Sequence, residues 1–172
     1  MRTKVPMTNK DVNLLRLKES MDEIIFNNID TSQNWEKAYS SLSELLDQFV
    51  EYYISATQVA NGETPKVNTF WMMFLDIISK LIYFQSLSYY KMQSEKSAKV
   101  IEETKDLFTL AANCIPNVQK IVNAEFLNEI ANSFEEIEQS NGVSFERMIL
   151  QKDNQPQECL KHFANFVEKY KI

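Results

Sequence analysis

A chain of 172 residues and 20.1 kDa has the size of one domain, and 44% apolar with 12% aromatic residues excludes a disordered or fibrous polypeptide. Only 2 Gly and 4 Pro exclude folds that spend these residues on many β-turns, leaving an all-α, single-domain bundle of about six amphipathic helices spanning residues 1–172. The net charge of −6 opposes binding to a phosphate backbone, so no general nucleic-acid binding is expected.

Taken in chain order, the first helix is predicted to start after Thr8 or Asn9 and to run to about Asn28. It buries Leu14, Leu17, Met21, Ile24 and Ile25. Asn27, Asn28, Asp30, Thr31 and Ser32 then form a turn. The second helix, about Gln33 to Ala60, carries Trp35, Leu42, Phe49 and Ala56 at seven-residue intervals, with Ala38, Leu45, Tyr52 and Val59 three positions later. Tyr39, Leu46, Tyr53 and Ala60 widen this stripe, which suits a helix that touches two neighbours. Asn61 and Gly62 end it.

Thr64 and Pro65 read as the N-cap and first residue of a central apolar helix near 65–92. Its run from Val67 to Phe84 has the length of a membrane span, but Asp76 and Lys80 interrupt it, each costing about 2.5–3.5 kcal/mol at a bilayer centre. No membrane association is expected, and the two charges read as the polar strip of a bundle helix. A break or bend at Ser94–Ser97 leads to a fourth helix with Val100, Ile101, Leu107, Phe108 and Ala111 inward, stopped at Pro116. A fifth helix follows from Asn117, with an apolar face from Val118 to Ile137 and an end at Asn141–Gly142. A short segment, Ser144 to Leu150, precedes the last helix. That helix starts near Pro156, with Asn154 and Gln157 as a capping pair, and its face is Leu160, Phe163, Phe166, Val167 and Tyr170.

The missing motifs narrow the chemistry. Two isolated glycines cannot write a Walker loop or a dinucleotide fingerprint, and one histidine, His162, cannot build His-rich zinc or paired Glu-x-x-His sites. Cys114 and Cys159 stand 45 residues apart, a spacing foreign to zinc and redox pairs. They read as buried thiols in a reducing compartment, with a lone disulfide as the alternative. His162 points roughly 60° away from Cys159 on a helix and groups with Glu158, Asn165 and Lys169 on the polar side. No secretory signal opens the sequence, and the expected location is cytoplasmic.

The remaining catalytic material is carboxylate. Glu102, Glu103 and Asp106 share the fourth helix, and Glu135, Glu136 and Glu138 the fifth, so that facing helices would hold Mg²⁺ between them. The pairing resembles that of the all-α nucleotide pyrophosphohydrolases, which bind Mg²⁺ through paired Glu-x-x-Glu and Glu-x-x-Asp motifs. The resemblance covers about 40 residues, and here the second cluster reads Glu-Glu-Ile-Glu and the first ends in Asp. It implies an alternative function, a Mg²⁺-dependent hydrolase of nucleoside triphosphates with Glu102, Glu103, Asp106, Glu135 and Glu138 as metal ligands.

The leading expectation is a non-catalytic helical protein–protein interaction module, an adaptor, complex subunit or regulator without a cofactor. Its partner would be another protein or a second copy. The candidate contacts are Phe70, Trp71, Met72 and Met73 on the central helix and Phe163, Phe166 and Tyr170 on the last, since Met adapts and aromatic residues anchor. Charge is uneven as well: Arg2 to Lys18 is net +4 and Ile101 to Ser140 net −6. That asymmetry admits a further alternative, a viral or phage inhibitor covering a basic host surface.

Overall fold

A computed structural model describes residues 9–57, 64–95, 97–114 and 155–170. Among them are five α-helices and no strand: α1 (Asn9–Ile24), α2 (Trp35–Thr57), α3 (Thr69–Met92), α4 (Ala98–Asn113) and α5 (Pro156–Tyr170). The all-α class therefore stands. The expected stops at Asn61–Gly62 and Pro116, the expected fifth helix from Asn117 and the segment Ser144–Leu150 lie outside the described residues.

The first helix extends past its expected end through a π-helical turn, Ile25–Asp30, closed by the Thr31 amide on the Phe26 carbonyl at 3.1 Å. Asn27 and Asn28 are weak helix formers, and the hydroxyls of Thr31 and Ser32 take up the Asn27 carbonyl at 2.8 and 2.9 Å. Gln33 turns the chain with φ of 48°, a left-handed conformation that a non-glycine residue adopts at a cost. Asn34 then caps α2, its Oδ1 accepting from the Lys37 amide at 3.2 Å.

The start of α3 departs from the expectation at Thr64–Pro65. Asn68 is the N-cap, its side chain accepting from the Trp71 amide at 3.0 Å, and the helix opens at Thr69. The reason lies on α5. Gln157 donates from Nε2 to the Pro65 carbonyl at 2.8 Å and accepts at Oε1 from the Val67 amide at 2.9 Å. One side-chain amide thus serves a donor and an acceptor two residues apart, as a neighbouring strand would, and residues 64–68 stay non-helical. Gln157 is consequently a clamp on the approach to α3, and the capping pair expected with Asn154 falls on a position outside the described residues.

α3 touches each of the other four described helices. Twelve of its residues are buried, from Trp71 to Ser88, and the hydrophobic cluster they join draws on all five helices. By length and composition α3 would cross a membrane, yet 56% of its apolar window is buried inside the protein. Asp76 and Lys80 are half-buried on its remaining face. The described residues include the ion pairs Lys18–Asp22 and Lys99–Glu103, and Asp76 and Lys80 form a polar strip one turn apart on α3. The Ser94–Ser97 segment breaks the helix: Gln93 is extended with ψ of 125°, and the Ser97 hydroxyl accepts from the Val100 amide at 3.3 Å to open α4.

Candidate functional site

Asn68 fixes the first turn of α3 and Gln157 fixes the chain just before it, so both locate the aromatic–methionine segment Phe70–Phe74. Trp71, at 3% exposure, and Phe74, at 0%, point inward. Phe163 of α5 closes on them from the other side, 5.3 Å from the Phe74 ring and 5.1 Å from Tyr53 of α2, both edge to face. Trp71 meets Tyr53 at 5.7 Å and Phe74 at 5.3 Å, again edge to face. Such pairs add about 0.5–1.5 kcal/mol beyond the area they bury.

The seven candidate contact residues therefore separate into two groups. Trp71 and Phe163 belong to the interior of this chain. Phe70, Met72, Met73 and Phe166 are half-buried, and Tyr170 is 39% exposed. Rings connect the two groups: Phe70 packs on Trp71 at 5.0 Å, and Phe163, Phe166 and Tyr170 follow one another at 6.0 and 5.4 Å along α5. Rigid core rings thus support the rings at the rim.

Hydrogen bonds hold this end of the molecule together. The Tyr170 hydroxyl donates to Asp47 of α2, and burial followed by that bond pushes the Tyr170 hydroxyl up to about 12. Burial, with Glu168 contributing, also raises Tyr53. Both phenols are neutral at physiological pH.

The acidic clusters are arranged differently. Glu102 and Asp106 are exposed, while Glu103 accepts from the Tyr89 hydroxyl at 3.0 Å and pairs with Lys99 at 3.9 Å. Glu135, Glu136 and Glu138 lie outside the described residues. Among the described residues no three His, Cys, Asp or Glu side chains are grouped to hold a metal ion. Cys114, just past α4, and Cys159, in the first turn of α5, are buried and not joined in a disulfide. Burial, and then the neighbouring Cys159, drive the Cys114 thiol well above its usual range, which keeps it protonated and unreactive. His162 is exposed, as are Glu158, Asn165 and Lys169.

Two elements of this end were not anticipated from sequence. One is the Gln157 clamp, whose partners lie about 90 residues away and leave no local signal. The other is an open groove between α1 and α2, lined among others by Arg16, Leu17, Asp47, Glu51 and Tyr52, which no local signal marks. Comparison of the chain with protein-family models, with curated proteins and with solved structures finds no match.

Proposed function

We propose that this chain is a non-catalytic helical protein–protein interaction module, an adaptor, complex subunit or regulator acting in the cytoplasm. It presents the rim of the α3/α5 aromatic cluster to a protein partner or to a second copy of itself. The observation that supports the reading is the half-exposed set Phe70, Met72, Met73 and Phe166 with exposed Tyr170, of which Phe70 and Phe166 rest on the buried rings of Trp71 and Phe163. Hot spots are commonly large aromatic side chains in a pre-formed setting, and methionines adapt to the opposing surface. In this reading the chain is a single bundle of about six helices, and the apolar spacing from Val118 to Ile137 supplies a further helix.

The test is partner binding by the full chain carrying Met72→Lys and Met73→Lys. Wild-type protein should form a defined complex, with itself in light scattering or with a partner purified from its source. The double variant should lose that complex while its melting temperature stays within about 5 °C of wild type, equivalent to roughly 1–2 kcal/mol for a domain of this size. A strictly monomeric wild-type chain that retains no partner would overturn the reading.

A further inference from the structure

Two thiols lie at the end of the molecule where α5 begins. Residues 93–97 turn the chain from α3 into α4, and the Tyr89 hydroxyl reaches Glu103 at 3.0 Å across the pair, so α4 runs back along α3 toward its first turns and is followed there by Cys114. The bonds from Gln157 to Pro65 and Val67 set the first turn of α5, with Cys159, at the same end of α3. α4 and α5 pack against each other, and both cysteines are 0% exposed in the hydrophobic cluster that also holds Ala111, Leu160 and Phe163. Helical bonds fix both backbones, the Cys114 amide on the Leu110 carbonyl at 3.0 Å and the Cys159 amide on the Gln155 carbonyl at 3.1 Å. Cys159 stands close enough to Cys114 to raise its thiol further, beyond the effect of burial.

From this arrangement we infer that Cys114 and Cys159 are a redox cross-linking site that ties α5 to α4. The oxidant is a low-molecular-weight disulfide such as oxidised glutathione. With α5 docked both sulfurs are sealed from solvent, so exchange proceeds on chains whose α5 has opened. The Cys159 thiol gives up its proton and its sulfur attacks one sulfur of the oxidant, whose S–S bond breaks; one glutathione leaves and takes up a proton. Cys114, deprotonated in turn, attacks the Cys159 sulfur of the mixed disulfide, and the second glutathione leaves protonated. The protein loses two electrons and two protons in all, and one oxidised glutathione becomes two reduced ones. Redocking of α5 then buries the new bond.

The cysteines stand 45 residues apart. Closing a loop of that length restricts the unfolded chain, which stabilises the folded state when the bridge fits without strain. In a reducing cytoplasm the thiols stay open, and the bridge closes as the glutathione pool is oxidised. The bridge fixes the helix that carries Phe163, Phe166 and Tyr170, and the site stands whether or not the rim of that helix binds a partner.

The test equilibrates the reduced full chain with mixtures of glutathione and its disulfide, with and without denaturing urea, and separates open, mixed-disulfide and bridged chains by mass after acid quenching. Relative to the urea-unfolded chain, the folded chain should favour the bridge by at least about 100-fold. The bridged chain should melt at least about 5 °C above the reduced one. Cys114→Ser and Cys159→Ser should each take up one glutathione and gain no such stability. A bridge no more favoured in the folded than in the unfolded chain, a bridged chain that melts no higher, persistent mixed disulfides at both cysteines, or a cross-link between two chains in place of the internal one would overturn the site.

Discussion

Along α3 the first turns, from Phe70 to Phe74, pack through large rings against Tyr53 and Phe163, whereas the later turns, from Ser79 to Ser88, intersperse buried Leu81, Ile82 and Tyr83 with small buried hydroxyls. Ser79, Ser86 and Ser88 are buried, and each returns its hydroxyl to its own helix, to the carbonyls of Asp76, Ile82 and Phe84 at 2.8, 2.8 and 2.7 Å. These serines need nothing from neighbouring helices and let them approach closely. The ring-packed half depends on partners from α2 and α5 and ends at a surface rim. On the proposed reading, recognition falls to the half whose rings reach the surface rim, and close helix packing to the half with buried serines.

Phe74 is fully buried and lies within 6.5 Å of the rings of Phe49, Tyr52, Tyr53, Trp71 and Phe163. Phe74→Ala should destabilise the fold by about 3–5 kcal/mol in urea unfolding, since five rings cannot collapse together into the space left. Ser86→Leu tests the other half. Its site is fully buried, and overpacking should cost about 1–3 kcal/mol in the same measurement. A smaller cost at Phe74 than at Ser86 would reverse the assignment of the two halves.

Much of this division was legible in the sequence. The seven-residue repeat of Trp35, Leu42 and Phe49 and the apolar density of Phe70 to Leu87 located α2 and α3, because helix burial follows a local period that composition cannot hide. Spacing alone did not separate buried Trp71 from half-buried Phe70, since both lie on the apolar arc of a helix with little polar face. The false start at Thr64–Pro65 has the same origin. Local capping chemistry favoured it, and contacts of Gln157 with Pro65 and Val67, about 90 residues distant, overrode it. Those contacts, like the α1–α2 groove, exist only once the helices are packed.

Gln85 lies in the same half of α3 as the buried serines. Its Nε2 donates to the Ser43 hydroxyl at 3.2 Å, while its Oε1 is buried without a partner among the described residues. An orphaned buried acceptor carries a desolvation cost of about 1–3 kcal/mol, so Gln85→Met, close in volume, should stabilise the protein by roughly 0.5–1 kcal/mol after the Ser43 bond is lost. An unchanged or lowered urea midpoint would show that the amide is satisfied in solution.

At the ring-packed end, the effect is confined to alkaline pH. The Tyr170 hydroxyl is raised from 10.0 to about 12 by burial and by its bond to Asp47. The unfolded chain loses this proton first, so the stabilisation is complete below pH 10 and declines as pH rises from there through about 12. Tyr170→Phe should flatten that part of the stability profile, with only a modest effect because the side chain is 39% exposed.

The smallest expected effect is the most discriminating one for the serines. In Ser88→Ala a buried hydroxyl and its 2.7 Å bond to the Phe84 carbonyl disappear, a loss of about 0.5–1 kcal/mol. Against this, alanine has the higher helix propensity, by about 0.5 kcal/mol, and the Phe84 carbonyl belongs to α3, where the backbone ladder also serves it. The two contributions nearly cancel, and the urea midpoint should move by less than about 0.5 kcal/mol in stability. A loss above about 1.5 kcal/mol would mean that the Ser88 hydroxyl links helices, and that the two halves of α3 are held by similar means after all.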